Sequence, residues 1–276
     1  MVRVAVPSGV EADLAADALW GAGANAIEER ETPTGIMLVA GVAPGADVAP
    51  LLKAVAGSRP AEVVPVDIEG ALDAWRAFAE PVAVGERLLV RPPWVAREHT
   101  ARVDVPIDPG RAFGSGAHAS TRLALVALDR LVRGGERVLD AGCGSGVLGI
   151  AALALGAAEA VGVDHDPEAV AASRANATRN GVGDRFTVTG RPIDEVVAAG
   201  APFDLVTANL LLPDLLAVAP TLRSAVAVGG SVVVSGVLAD QQPAVIASAT
   251  HVGLVPLGEE TADGWLAVTF AGPTAG

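Results

Sequence analysis

One stretch constrains the fold more than any other. Residues 137–152 read Arg137-Val138-Leu139-Asp140-Ala141-Gly142-Cys143-Gly144-Ser145-Gly146-Val147-Leu148-Gly149-Ile150-Ala151-Ala152. An apolar run ends in a turn with glycine at alternate positions, and a helix begins at once. Such a turn lets backbone approach a ligand where the first helical N–H groups have no partner. A second β-run, Ala160–Val163, ends in Asp164, 22 positions beyond Gly142. There the next strand tip would bring a carboxylate beside the ribose of a bound nucleoside.

The chain around this turn repeats the alternation. From about Ala119 onward long helices alternate with β-branched runs, the signature of a parallel sheet covered on both faces. Asp166 is placed to cap a helix with Pro167 in its first turn, running through Ala169–Thr178 to an Asn180-Gly181 stop. Arg185–Thr189 and Phe203–Ala208 read as further strands, the latter delivering Asn209 at its C-terminal end. Strand tips line the ligand crevice of an open parallel sheet, so Asn209 is expected at the reactive end of the ligand, its amide orienting an acceptor. The plainer reading is a turn residue.

The spacing of the turn discriminates between nucleoside ligands. A dinucleotide fingerprint runs G-x-G-x-x-G with the pyrophosphate on the helix N-terminus. Here the glycines are Gly142, Gly144 and Gly146, Val147 stands where the third glycine would be, and Asp140 adds a carboxylate just before the turn. An anion there repels a pyrophosphate and suits a ligand with a positive ammonium and sulfonium, which is S-adenosylmethionine. The alternative is a glycine-rich turn with Asp164 as a helix-cap acid.

A third element precedes these two. Asp108 to Thr121 holds Phe113-Gly114-Ser115-Gly116-Ala117-His118-Ala119-Ser120-Thr121 and leads into a helix with Leu125, Leu128 and Val132 on one stripe. Its hydroxyls and glycines could close over a carboxylate-bearing ligand. On composition alone it is a flexible loop, with Ser120 or Thr121 capping the helix. Cys143 is expected to pack, and His99, His165 and His251 carry no functional expectation.

The first 69 residues read differently. Val2–Val6 is a strand and Glu11–Gly21 a helix; Ala26–Arg30 and Gly35–Val42 are strands around a Thr32–Gly35 turn. Asp47 caps a helix with Val48, Leu51, Leu52 and Val55 on one face, and Ala61–Val66 is a last strand. The order β-α-β-β-α-β predicts a small ferredoxin-like domain. Residues 70–110 read as a structured linker: a short helix over Ala71–Glu80 with Trp75 and Phe78 on one edge, then strands at Arg87–Val90 and Ala101–Ile107 around Pro92-Pro93-Trp94. The domain over 111–276 carries the ligand site.

Composition narrows the partners. The net charge is −13, with ten acids against four bases in residues 1–69 and 22 against 15 in 70–276. Neutralising phosphates needs a basic stripe, so direct nucleic-acid binding is not expected, whereas a basic protein would be attracted. One cysteine and four scattered histidines offer no disulfide and no metal-ligand spacing. Neither a signal peptide nor a run of about 18 apolar residues is seen, so a soluble, cytoplasmic, monomeric protein is expected.

At these segments the chain resembles the bacterial ribosomal protein L-eleven methyltransferase family, PrmA. That family carries an F-G-T-G-x-H-x-T-T loop, a D-x-G-x-G-S-G loop, a V-D-x-D strand end and an A-N-I-L strand end. This chain has Phe113 to Thr121, Asp140 to Gly146, Val163-Asp164-His165-Asp166 and Ala208-Asn209-Leu210-Leu211 in the same order and spacing. Ala74-Trp75-Arg76, Pro92-Pro93-Trp94, Ser235-Gly236-Val237-Leu238 and Gly264-Trp265 also have counterparts. Ser115 and Ser120 replace threonine and keep the hydroxyl, while residues 1–60 share only the layout.

The resemblance implies a seven-stranded Rossmann-like class I methyltransferase domain behind a ferredoxin-like recognition domain. It also implies transfer of methyl groups from S-adenosylmethionine to lysine and N-terminal amines of the stalk-base protein of the large ribosomal subunit. Carried over by position, Thr121, Gly142, Asp164 and Asn209 contact the cofactor, joined by Phe113, Gly114, Ser115, Gly116, His118, Asp140, Gly144 and Gly146. Asn209 would in addition hold the acceptor nitrogen. Transfer is a direct in-line displacement by a neutral amine, so the enzyme mainly supplies alignment. Competing expectations are a methyltransferase of the same fold acting on another protein's lysines or a small amine, a nicotinamide-dependent oxidoreductase, and a scaffold without catalysis.

Overall fold

The computed structural model describes all residues except 7–8, 25, 33–34, 43–45, 56–60, 65–78, 98–99, 111, 201 and 274–276, and describes backbone alone at 9–10, 13, 17, 20, 26, 28 and 31. The chain divides into two compact units, Met1–Ala71 and Leu72–Gly276. The expected helix over Ala71–Glu80, with Trp75 and Phe78, lies almost wholly outside the described residues, as do the Pro33-Thr34 turn positions and the end of the strand expected to reach Val66.

The first unit runs β1 (Val2–Val6), α1 (Gly9–Gly21), β2 (Ala26–Thr32), β3 (Gly35–Gly41), α2 (Ala49–Val55) and β4 (Ala61–Val63). Its sheet has the order β2-β3-β1-β4 with every pairing antiparallel. Val2, Val4 and Val6 alternate into the core, where Ala12, Ala15, Leu19, Leu51 and Val55 of the helices meet them. The period-2 pattern of β1 therefore fixes which face of the sheet the helices cover. As expected, the Asp47 carboxylate caps α2, accepting from Ala49 N at 2.9 Å.

The second unit opens with a three-stranded sheet of β5 (Val82–Val84), β6 (Leu88–Arg91) and β7 (Val103–Pro106). Sequence reading missed β5, whose three residues are too few to show a period. Arg91 forks onto both oxygens of Asp104 at 2.7 and 2.9 Å, joining β6 to β7 with both side chains 12% exposed. Val84, Leu88, Val90, Val105 and Ile107 enter the same apolar cluster as α3 and α4 below.

A seven-stranded sheet follows. In chain order it is built from α3 (Ala119–Leu131), β8 (Arg137–Ala141), α4 (Val147–Ala154), β9 (Glu159–Val163), α5 (Pro167–Arg179), β10 (Phe186–Thr189), α6 (Ile193–Gly200), β11 (Phe203–Asn209), α7 (Leu212–Ala225), β12 (Val226–Leu238), α8 (Gln242–His251), β13 (Val255–Ala262) and β14 (Trp265–Ala271). The strand order is β10-β9-β8-β11-β12-β14-β13. Neighbours from β10 to β12 are parallel, whereas β14 pairs antiparallel with both β12 and β13. The parallel sheet expected from the helix–strand alternation is thus interrupted at one strand, β14. β13 and β14 are joined by a two-residue turn at Asp263 (φ 51°) and Gly264 (φ 78°), which reverses the chain as a hairpin must.

Two apolar clusters cover the two faces. Val138, Ala160, Leu205 and Val233 point to one, with α3, α4 and α5, while Leu139, Val163, Val206 and Val234 point to the other, with α6, α7 and α8. Burial on both sides explains why these strands read as continuous apolar runs. Strand order reverses between β8 and β11, so their C-terminal ends part to leave a crevice.

Candidate functional site

The crevice is a cavity of about 440 Å³, within the range of small-molecule sites. Gly142 N and Cys143 N both donate to Val163 O, at 2.8 and 3.0 Å, which presses the glycine turn onto the tip of β9. Gly144 N donates to Asp164 Oδ2 at 2.9 Å, and Asp164 Oδ1 accepts from Asp166 N at 3.0 Å. Gly144 has φ 52°, and a Cβ there would stand 2.6 Å from Phe113 O. Only glycine satisfies both the left-handed backbone and the close approach.

The loop that precedes α3 is tied to this turn by two hydrogen bonds. Ser145 N donates to Phe113 O at 2.9 Å, and Ser145 Oγ donates to Gly114 O at 2.6 Å. Asn176, fully buried on α5, donates through Nδ2 to Ser145 O and Asp108 O at 2.9 and 2.8 Å. These bonds hold Phe113 and Gly114 on the cavity wall beside Gly142 and Gly144.

Asp140 is not on that wall. Its side chain turns beneath the loop, fully buried, where it accepts from Thr207 Oγ1 at 2.8 Å and from Gly149 N at 3.1 Å. Gly149 lies in the first turn of α4, whose N-cap, Gly146, has no side chain to offer. Asp140 therefore supplies the missing acceptor to an orphan helical N–H. Burial pushes its carboxyl up to about 6, against the pull of the Thr207 and Gly149 hydrogen bonds. Asp140, expected at the methionine end of the ligand, supports the loop from below in the structure and does not line the cavity.

Three other expected contacts also stand back from the wall. Gly116 packs against β6, where a Cβ would meet Val90 Cγ1 at 2.5 Å. Ser115 Oγ accepts from Ala117 N at 3.3 Å within its own turn. Gly146 is enclosed by Ser173 and Phe186, with a Cβ position 2.7 Å from Ser173 Oγ. None of the three is among the residues lining the cavity.

Asn209 and His118 do reach it. Asn209 Nδ2 donates to Thr121 Oγ1 at 3.3 Å, so buried Thr121 touches Asn209 and does not itself line the cavity. Asn209 Oδ1 is buried and has no hydrogen-bond partner. His118, and neither Ser120 nor Thr121, caps α3: its ring accepts from Ser120 N at 3.3 Å, with Nδ1 2.8 Å from Ser120 Oγ. The ring makes edge contacts with Phe113 and Trp265, at centroid distances of 5.3 and 4.7 Å. Burial and the nearby Arg122 charge lower the His118 pKa, favouring the neutral ring that can accept.

Sequence reasoning left other wall residues without a role. Trp265 and Gly236 come from β14 and β12, beside β11 in the sheet; Leu211 and Asp214 come from the start of α7; His165 follows Asp164. The strand-tip rule that found Asn209 extends to the C-terminal part of β12 once the strand order is known, and antiparallel β14 brings its first residue, Trp265, to the same edge. Cys143 is buried, as expected of a packing residue, with Sγ 3.4 Å from Ser173 Oγ, and burial raises its pKa.

The family model of ribosomal protein L11 methyltransferase (PrmA) matches residues 60–272. The ribosomal protein L11 methyltransferase of Symbiobacterium thermophilum is 40% identical over 209 residues, covering 75% of this chain and 67% of that protein. The one from Thiobacillus denitrificans is 46% identical over 168 residues, covering 61% and 55%. A crystal structure of ribosomal protein L11 methylase from Lactobacillus delbrueckii subsp. bulgaricus superposes with a TM-score of 0.64 at 28% identity, covering 70% of this chain and 98% of that one. Among the sequence relatives, those from Symbiobacterium and Thiobacillus included, the matched segments span 52% to 67% of the relative's length. By its match over residues 60–272 and its identity to these relatives, the chain belongs to the ribosomal protein L11 methyltransferase (PrmA) family.

Proposed function

We propose that this chain methylates lysine and N-terminal amines of ribosomal protein L11, the substrate named for its relatives, with S-adenosylmethionine as donor. One observation carries the choice of donor. Among the described residues the cavity wall holds three carboxylates, Asp164, Asp166 and Asp214, and neither Arg nor Lys. A pyrophosphate would find no cation there, whereas a ligand bearing an ammonium and a sulfonium finds complementary charge. The unpaired, buried Asn209 Oδ1 is a further acceptor waiting for a donor. The residues fit the group.

When bound, S-adenosylmethionine supplies a methyl group on a cationic sulfur. Asp164 is the acceptor for ribose hydroxyls, and the backbone of Gly142 and Gly144 admits the methionine end closely. Phe113, Gly114 and His118 form the inner edge of a lid over residues 115–121. Asn209 Oδ1 holds an N–H of the neutral acceptor amine and so aims the nitrogen lone pair. Alignment and exclusion of water are the chain's main contributions to rate.

The same reading extends to architecture. The β-α-β-β-α-β order and the antiparallel β2-β3-β1-β4 sheet of the first unit favour a ferredoxin-like recognition domain over residues 1–69. Residues 70–110 are the structured linker and 111–276 the class I methyltransferase domain. A chain of net charge −13 attracts a basic ribosomal protein. Work in the cytoplasm as a monomer belongs to the same proposal; no helix among the described residues is long and apolar enough to cross a membrane.

The test is to incubate the full chain with methyl-labelled donor and unmodified L11, then map the label by mass spectrometry. Label on lysine and N-terminal amines is the expected result. An unlabelled L11, together with calorimetric binding of NAD in place of S-adenosylhomocysteine, overturns the proposal.

A further inference from the structure

The three carboxylates on the cavity wall are not equivalent. Asp164 accepts from Gly144 N and Asp166 N, and Asp166 accepts from Glu168 N as the cap of α5. Asp214 accepts no hydrogen bond and forms no ion pair among the described residues, although it lies on the same wall. It is the third residue of α7, where an acid ordinarily reaches back to the N-cap backbone N–H. Leu211, the N-cap of α7, offers no side-chain cap. That hydrogen bond to the N-cap N–H is not made here, so the carboxylate faces only the first-turn dipole of α7 and whatever enters the cavity.

Its surroundings have a matching chemistry. Leu211, one turn earlier on the same wall, is 64% exposed. Leu210 and Asn209 precede it, with Leu210 packed over Gly142, where a Cβ would collide with its side chain. An exposed apolar side chain beside a free carboxylate, leading to the unpaired Asn209 Oδ1, matches a lysine side chain: an aliphatic stem with a cationic head. The other titratable groups on the wall are Asp164, His165 and Asp166 at the tip of β9, with His118 and Cys143.

We propose that Asp214 selects the acceptor: it receives the amine as its ammonium ion at the start of α7, with Leu211 against the stem, before the nitrogen passes to Asn209. The ammonium N–H bond breaks with the proton leaving to bulk water, and the neutral amine is what Asn209 holds. Asp214 is a positioning and specificity residue and takes no part in the transfer itself. The inference rests on the amine-methyltransferase reading of the preceding subsection.

A carboxylate beside an ammonium raises the amine pKa. Asp214→Asn is therefore expected to raise KM for L11 by about threefold, the scale of an exposed ion pair, and to move the ascending limb of the kcat–pH profile to lower pH. Asp214→Glu should restore both, and raising the salt concentration should erase the KM difference. A merely structural role would lower kcat and Tm without moving the pH limb. Wild-type methylation of L11 with an Asp214→Asn variant unchanged in KM and in pH limb overturns this inference alone. A wild type that methylates neither L11 nor a free lysine derivative overturns it together with the reading beneath it.

Discussion

Asn209 Nδ2 donates to Thr121 Oγ1 at 3.3 Å, a bond between the C-terminal residue of β11 and the first turn of α3, 88 positions apart. It fixes the amide so that Oδ1, not Nδ2, is left without a partner. Thr121→Val removes the hydroxyl at nearly constant shape and frees the amide to turn. Losing a hydrogen bond of this kind costs on the order of 1 kcal/mol, so kcat should fall by roughly five- to tenfold. Thr121→Ser should retain most activity. Steady-state kinetics on both variants decide it, and equal losses in the two would disprove the role assigned to the hydroxyl.

Gly236 makes a sharper demand on the same amide. Its φ is 84°, and a Cβ would stand 2.6 Å from Leu210 O, 2.7 Å from Leu210 N and 2.8 Å from Asn209 Oδ1. Gly236→Ala combines left-handed strain with a backbone collision, at a cost of about 1–3 kcal/mol. Thermal unfolding should show a lower Tm, and titration with S-adenosylhomocysteine a weaker affinity. A variant with wild-type Tm and affinity would show that β12 yields freely at this point.

What could be read in the chain beforehand divides along physical lines. The glycine turn, Asp164 and Asn209 follow from local pattern joined to one rule, that ligands meet the C-terminal tips of parallel strands. Asp140 has the same local signature as a ligand acid; only the fold reveals that its side chain turns under the turn to Gly149 and Thr207. His118 capping α3 was hidden because serine and threonine, both present two and three residues later, are the commoner caps. Trp265, Gly236 and Asp214 depend on the β11-β12-β14 neighbourhood and the entry of α7, which no window of sequence encodes. β5, at three residues, gave no period to detect.

Asp140 predicts a pH dependence. Its carboxyl is pushed up to about 6 in the folded chain from 3.8, so between those values the folded state holds a proton that the unfolded state has lost. Stability from this group is thus present below about pH 4 and falls as pH rises to about 6. The full effect is on the order of 3 kcal/mol. Denaturant unfolding of Asp140→Asn relative to the wild type should become more favourable to the variant by that order between pH 4 and pH 7.5. Parallel stability curves for the two proteins would refute the ionisation of Asp140 in this window.

Ser145 connects the ligand loop to the segment before α3. Its hydroxyl is fully buried and donates to Gly114 O at 2.6 Å, and Ser145→Ala leaves that carbonyl without its partner while keeping the Ser145 N to Phe113 O bond. An unsatisfied buried acceptor costs about 1–3 kcal/mol, and the chain relieves it by letting residues 112–117 move away from the turn. Amide hydrogen exchange should therefore quicken over 112–117 and remain unchanged over β8 and β11. Because Phe113 and Gly114 form part of the cavity wall, S-adenosylhomocysteine should bind more weakly, and its addition should slow exchange less than in the wild type. Unchanged exchange over 112–117 in the free variant would mean that the backbone bond to Phe113 holds the segment alone, and that Ser145 contributes only to the internal packing of the glycine turn.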